Sequence, residues 1–96
     1  MRLAPTDIPP AVDPFGIVFV MQGRGGPVRC HVFGAAIDEL EQSHARTAAE
    51  MLRRFERHRA RLERVADRLH GAGHATPWIS VEDLLLGVSP DSFGDE

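Results

Sequence analysis

Thr47 and Glu50 stand three residues apart, and neither proline nor glycine follows until Gly71. The Thr-x-x-Glu spacing is a capping box, in which each side chain satisfies one orphan backbone donor at a helix start. Gly71 and Gly73 supply the stop, because glycine takes the left-handed cap conformation at little cost. The segment from Ala48 to His70 is therefore expected to be one helix, roughly 35 Å long at 1.5 Å per residue. A chain of 96 residues fits one domain, so this helix has to be a main wall of a single core.

At 100° per residue the helix divides into faces. Ala48, Met51, Leu52, Phe55, Leu62, Val65, Ala66 and Leu69 fall on one side and form the expected core stripe. Opposite run Arg53, Arg57, Arg61, Arg64 and Arg68, with Arg46 and Arg54 nearby. Neighbours on a helix surface are three or four residues apart. Glu50 is thus placed to pair with Arg53 or Arg54, Glu56 and Glu63 with Arg59, and Asp67 with Arg64. Arg57, Arg61 and Arg68 find no carboxylate at that spacing.

Eight of the 11 basic residues, all of them arginine, lie between positions 46 and 68, in a chain of net charge −3. Two readings of this ridge stand side by side. Guanidinium forks match phosphate and carboxylate geometry, which makes Arg53, Arg57, Arg61, Arg64 and Arg68 a candidate surface for nucleic acid or another anionic ligand. Alternatively the ridge is solvated, or neutralised by the acids of residues 71–96, which hold Glu82, Asp83, Asp91, Asp95 and Glu96 and no base. Screened surface charge is usually weak, which favours the second reading. His58 and Arg59 sit at the edges of the apolar stripe. They either border a pocket or interface under the hairpin, near Cys30 or His31, or they snorkel from the core margin.

The rest of the chain supplies a small sheet. Gly16–Met21 and Val28–Phe33 are rich in β-branched and aromatic residues and flank Gln22-Gly23-Arg24-Gly25-Gly26-Pro27, which predicts a β-hairpin. Val28, Cys30 and Val32 share one face of its second strand. Residues 35–41 read as a short helix, 75–81 as a third strand with Pro77 at its start or at an edge, and 82–86 as one helical turn. Residues 1–14 carry Pro5, Pro9, Pro10 and Pro14 and are expected to form a flexible, extended arm. Residues 87–96 are expected to be an acidic, disordered tail.

Several chemistries lack their residues. One cysteine, Cys30, excludes an internal disulfide and fits a reducing compartment. The longest apolar run, Ile17 to Met21, is far too short to span a membrane. The first residues lack the apolar centre of a secretory signal, so a cytoplasmic location is the default. His70 and His74 have a spacing used in metal sites, but Gly71 and Gly73 interrupt the helix that spacing needs, and no metal or other cofactor is expected. Gly23-Arg24-Gly25-Gly26 is friendly to phosphate but has no Lys-Ser/Thr after it and no strand-to-helix context, so it reads as a turn. No nucleophile elbow is present and no catalytic residue is assigned.

Val28-x-Cys30 after the glycine turn, Ala36-Ile37-x-x-Leu40, Phe55-Glu56-x-His58-Arg59-x-x-Leu62-Glu63-x-x-Ala66, and Ile79-Ser80-Val81-Glu82-Asp83-Leu84 together resemble the bacterial domain-of-unknown-function family 1488. The resemblance spans residues 15–85. It implies a small α+β protein with a sheet against helices, and it implies no activity. The Gly25-Gly26-Pro27 turn and the proline-rich arm depart from the family pattern.

The expected fold is α+β: a β-hairpin plus a third strand in a small antiparallel sheet, packed on a short helix and one long amphipathic helix, with residues 15–86 as the domain. A sheet so small exposes its edges, which favours a homodimer. The expected role is a non-enzymatic protein-interaction or self-associating module, with the arginine ridge as an anion-binding alternative.

Overall fold

The computed structural model describes residues 2–85. Its framework is a five-stranded mixed sheet: β1 (Ala4–Pro5), β2 (Ala11–Asp13), β3 (Gly16–Gly23), β4 (Gly26–Phe33) and β5 (Trp78–Ile79). Between β4 and β5 the chain makes three helices, α1 (Gly34–Glu41), α2 (Ala48–Arg57) and α3 (Arg59–Gly71). A fourth, α4, begins after β5 and covers residues 81–85.

The β3–β4 hairpin forms where the sequence placed it, in register from Gly16–Phe33 to Gly23–Gly26. The rest of the sheet corrects the expected three-stranded antiparallel arrangement. β1 and β2 come from the proline-rich segment and pair antiparallel with successive stretches of β3, Ala4 opposite Gln22 and Ala11 opposite Val18. Pro5 and Pro14 do not prevent this, because an edge strand has donors that need no partner. The first part of the segment is pinned. Asp67 Oδ1 accepts the N–H groups of Arg2 and Leu3 at 2.9 and 2.8 Å, and Thr6 donates its hydroxyl to the Val20 carbonyl. β5 runs parallel to β4, not antiparallel, with Val32 opposite Ile79. Parallel neighbours require a crossover, and the three helices provide it.

The second correction concerns the long helix, which is two helices broken at His58. The His58 backbone has φ −108° and ψ 12°, outside the helical range. No proline or glycine marks the site. The break falls where three consecutive basic residues serve carboxylates on different elements: Arg57 and His58 reach Glu41 on α1, and Arg59 reaches Glu56 and Glu63. The Thr47 cap forms as expected, with Thr47 Oγ1 accepting from the Glu50 N–H and Glu50 Oε1 accepting from the Arg46 N–H. α4 starts on Ser80, whose N–H and hydroxyl both donate to Asp83 Oδ2.

All three crossover helices and Leu84 of α4 pack on one face of the sheet. Leu3, Ile17, Phe19, Met21, Cys30 and Val32 meet Ile37, Phe55, Leu62, Val65 and Ala66 there, all 5% exposed or less. Phe19 and Phe55 touch ring to ring at 5.0 Å between centroids. Each such apolar side chain contributes about 1.5–3 kcal/mol on burial. Of the expected stripe, Ala48 alone is exposed, since it sits in the first turn beyond the edge of the core.

The expected acidic tail, residues 87–96, and Leu86 lie outside the described residues.

Candidate functional site

Three groups of polar or aromatic side chains merit comparison: the arginines of α2 and α3, the His58–Arg59 pair, and the outer face of the sheet.

The arginines are mostly engaged. Arg54 is 5% exposed and clamps α1 to α2. Its guanidinium donates to Asp38 Oδ1, the Ser43 carbonyl, Ser43 Oγ and Glu50 Oε2. Glu50 therefore serves Arg54 and leaves Arg53 without an ion pair. Arg57 meets Glu41 through two parallel hydrogen bonds, at 3.1 and 2.9 Å. Arg68 donates to the Asp83 carbonyl at 2.8 Å. Asp67, expected beside Arg64, accepts from the Arg2 and Leu3 backbone instead. Among the described residues, Arg53, Arg61 and Arg64 form no ion pair, and of these Arg61 is half-buried.

His58 and Arg59 lie at the helix break and reach different carboxylates. His58 Nε2 is 2.7 Å from Glu41 Oε2. Hydrogen bonds from Arg57 and then from His58 hold the Glu41 carboxyl down to about 2. Arg59 lies between Glu56 and Glu63, at 3.1 and 3.0 Å, reaches the Thr6 carbonyl, and stacks over the Phe55 ring at 5.5 Å. Burial works against its charge, but the Glu63 hydrogen bond and the two carboxylates raise its pKa on balance. Cys30 is fully buried on the inner face of β4, the face on which the helices pack. Burial first, and the Glu63 charge second, push its thiol up to about 12. His31 is adjacent in sequence and so points to the opposite side of the sheet. The sheet therefore separates His31 from the helices that carry His58 and Arg59, whereas Cys30 faces those helices and feels the charge of Glu63, the Arg59 partner. Among the described residues no cluster of three His, Cys, Asp or Glu could hold a metal ion.

The outer face was not singled out in the sequence. No described helix packs on it. Val18, Val20, His31 and Phe33 stand there half-buried, and parallel pairing places Trp78 beside His31. The two rings stack at 3.9 Å with 3° between planes. Phe33 lies 5.3 Å from Trp78 and Phe15 meets it edge-on at 5.9 Å. Phe15 is 61% exposed and Trp78 38%. A turn built by Asp13 presents Phe15: Oδ1 accepts from the N–H groups of Phe15 and Gly16 at 2.9 and 2.8 Å. Burial opposes the Asp13 charge, but these backbone donors and His31 lower its pKa on balance. The other Asp13 oxygen is 3.5 Å from His31 Nδ1, which has no hydrogen bond. The one sequence signal was the alternation Arg29, His31, Phe33 on the face opposite Cys30. Trp78 joins them only through the parallel pairing of β5.

Shallow clefts also mark the surface. One of about 300 Å³ runs between the Asp13–Gly16 turn and the start of α2, past Arg46 and Met51. Another of about 400 Å³ is lined by Asp38, Glu39, Ser43 and His44.

Residues 13–82 match the model of the family described as Protein of unknown function (DUF1488), and this chain belongs to that family. A crystal structure of a protein of unknown function from the same family, from Shewanella loihica PV-4, is similar in fold, with a TM-score of 0.72 at 18% identity over 81% of this chain and 91% of that one. Comparison with curated proteins gives no match. No helix among the described residues is long and apolar enough to cross a membrane.

Proposed function

We propose that this chain is a small non-enzymatic interaction module that associates with a second copy of itself through the outer face of its sheet. The aromatic group of Phe15, Phe33, Trp78 and His31 carries this reading. Aromatic side chains bury large areas at interfaces with little loss of rotamer freedom, and here Phe15 and Trp78 are exposed on a face with no described helix. A second copy suits the face because it carries both signs of charge, Asp13 at one end of the strand register and Arg29 towards the other. A two-fold interface needs that self-complementarity. Edge-to-edge pairing suits it less. β1 and β2 are interrupted by Pro5, Pro9 and Pro10, and β5 is two residues long. A cytoplasmic setting belongs to this reading, since the single thiol has no disulfide partner in the chain.

Sedimentation of the full chain across concentration tests it. A dimer at tens of micromolar is expected, weakened at least about tenfold, or 1.4 kcal/mol, by Phe15→Ser together with Trp78→Ala. A monomer at that concentration overturns it.

The second reading is an accessory binder of nucleic acid or another anionic ligand along the arginine ridge. Arg53, Arg61 and Arg64, which form no ion pair among the described residues, favour it. Such binding would weaken steeply with added salt. A labelled DNA or RNA probe that is not retarded at low salt removes this reading, as does retardation unchanged by Arg61→Glu with Arg64→Glu.

A further inference from the structure

At the far end of β3 from Phe15, the hairpin turn leans over the start of the chain and the end of α3. The result is an open cleft of about 620 Å³, lined among the described residues by Arg2, Leu3, Arg24 and His70. Three elements deliver its hydrogen-bond donors. Arg2 is held in place because Asp67 Oδ1 on α3 accepts its backbone N–H at 2.9 Å and that of Leu3 at 2.8 Å. Its guanidinium lies against Gly71, where a Cβ would be 3.6 Å from Nη1. Leu3 is buried and closes the floor, close enough that a Cβ on Gly23 would come within 3.2 Å of its Cδ2. Arg24 projects from the Gly23-Arg24-Gly25-Gly26 turn, and His70 comes from the last turn of α3.

Like Arg53, Arg61 and Arg64, the arginines here form no ion pair among the described residues. Elsewhere Arg54, Arg57 and Arg59 are each matched by a carboxylate. In this cleft neither the Arg2 nor the Arg24 guanidinium has a hydrogen bond or ion pair among the described residues, and no acid is among the described lining residues. Asp67, which anchors the start of the chain, directs one oxygen at two backbone donors. Two guanidiniums and an imidazole around an apolar floor form a receptor for a compact anion, because guanidinium donors match phosphate oxygens in pairs. The cleft volume lies within the range of small-molecule sites.

We propose that the Arg2–Arg24–His70 cleft binds a phosphate group, either free or carried as a monoester on a small organic molecule. This proposal is independent of the sheet-face reading, since the two lie at opposite ends of β3.

Titration of the isotope-labelled full chain by nuclear magnetic resonance tests it, with inorganic phosphate in one arm and phenyl phosphate in the other. Saturable shifts confined to residues 2–3, 23–26 and 67–72 are expected. Arg2→Ala with Arg24→Ala should weaken binding at least about tenfold while leaving the melting temperature unchanged, as neither side chain holds the fold. Tighter binding of phenyl phosphate identifies an organic monoester, and tighter binding of inorganic phosphate identifies the free ion. Unsaturable shifts spread over the arginines of α2 and α3 overturn the proposal. So does undiminished affinity in the double variant.

Discussion

His58 Nε2 lies 2.7 Å from Glu41 Oε2, and the α2–α3 break occurs at that histidine. One carboxylate at the end of α1 thereby ties both Arg57 and His58 where the two helices meet. Its pKa, lowered from 4.5 to about 2, gives the pH dependence a sign. A carboxyl with a depressed folded-state pKa contributes stability that is fully present above the unfolded value and lost as pH falls through the folded one. The window here is about pH 4.5 to about pH 2. Melting temperature should fall across it in the native chain, and Glu41→Gln should flatten part of that fall. Parallel acid limbs for the two proteins would show that Glu41 is not coupled to folding.

Arg54 is the buried clamp between α1 and α2, and Asp38 depends on it. Removing one partner of a buried pair strands the other charge, at a cost of about 3–5 kcal/mol. Arg54→Ala should lower stability in urea by about that amount. Arg53→Ala, one residue away and exposed, should change it by less than about 0.5 kcal/mol. Equal effects would remove the distinction between clamp and surface.

Gly16 stands where β3 begins against the start of α1. A Cβ there would lie 2.2 Å from the Val32 carbonyl oxygen and 2.5 Å from the Gly34 nitrogen. Both are backbone atoms and neither is free to rotate away. Gly16→Ala should destabilise by about 3 kcal/mol or more, at or above the upper end of overpacking. Gly25→Ala meets nothing within 4 Å, and should be neutral or stabilising by up to about 1 kcal/mol. Thermal melts of the two variants measure the contrast.

Cys30 should be inert in the folded protein. Its thiol is fully buried and pushed up to about 12, and the thiolate is the reactive species. Labelling by a thiol reagent should be slow in buffer and fast in denaturant, at a rate limited by opening of the fold. Rapid labelling of the native chain would place Cys30 at an accessible surface.

The α2 start, the hairpin and the apolar stripe were legible because each is local. Thr47 and Glu50 cap by spacing alone, glycines mark the turn, and Phe55, Leu62, Val65 and Ala66 recur at the helical period. The helix break at His58 was not legible. The carboxylate that His58 meets there, Glu41, is 17 residues away, and no proline or glycine marks the site. The proline-rich segment looked unsuited to a sheet because propensity counts each proline against a strand. Edge position removes that objection, and edge position is a tertiary fact.

Sequence by itself determined the hairpin, the capped start of α2, the core face of the helices and the absence of a disulfide within the chain, since these follow from periodicity, turn and cap residues, and composition. Tertiary structure alone decided the parallel pairing of β5, and with it the meeting of His31 and Trp78 across 47 residues. It also decided which arginines are spoken for. Arg54, Arg57 and Arg68 resemble their neighbours in the sequence, and they differ only in the oxygens that folding brings within reach.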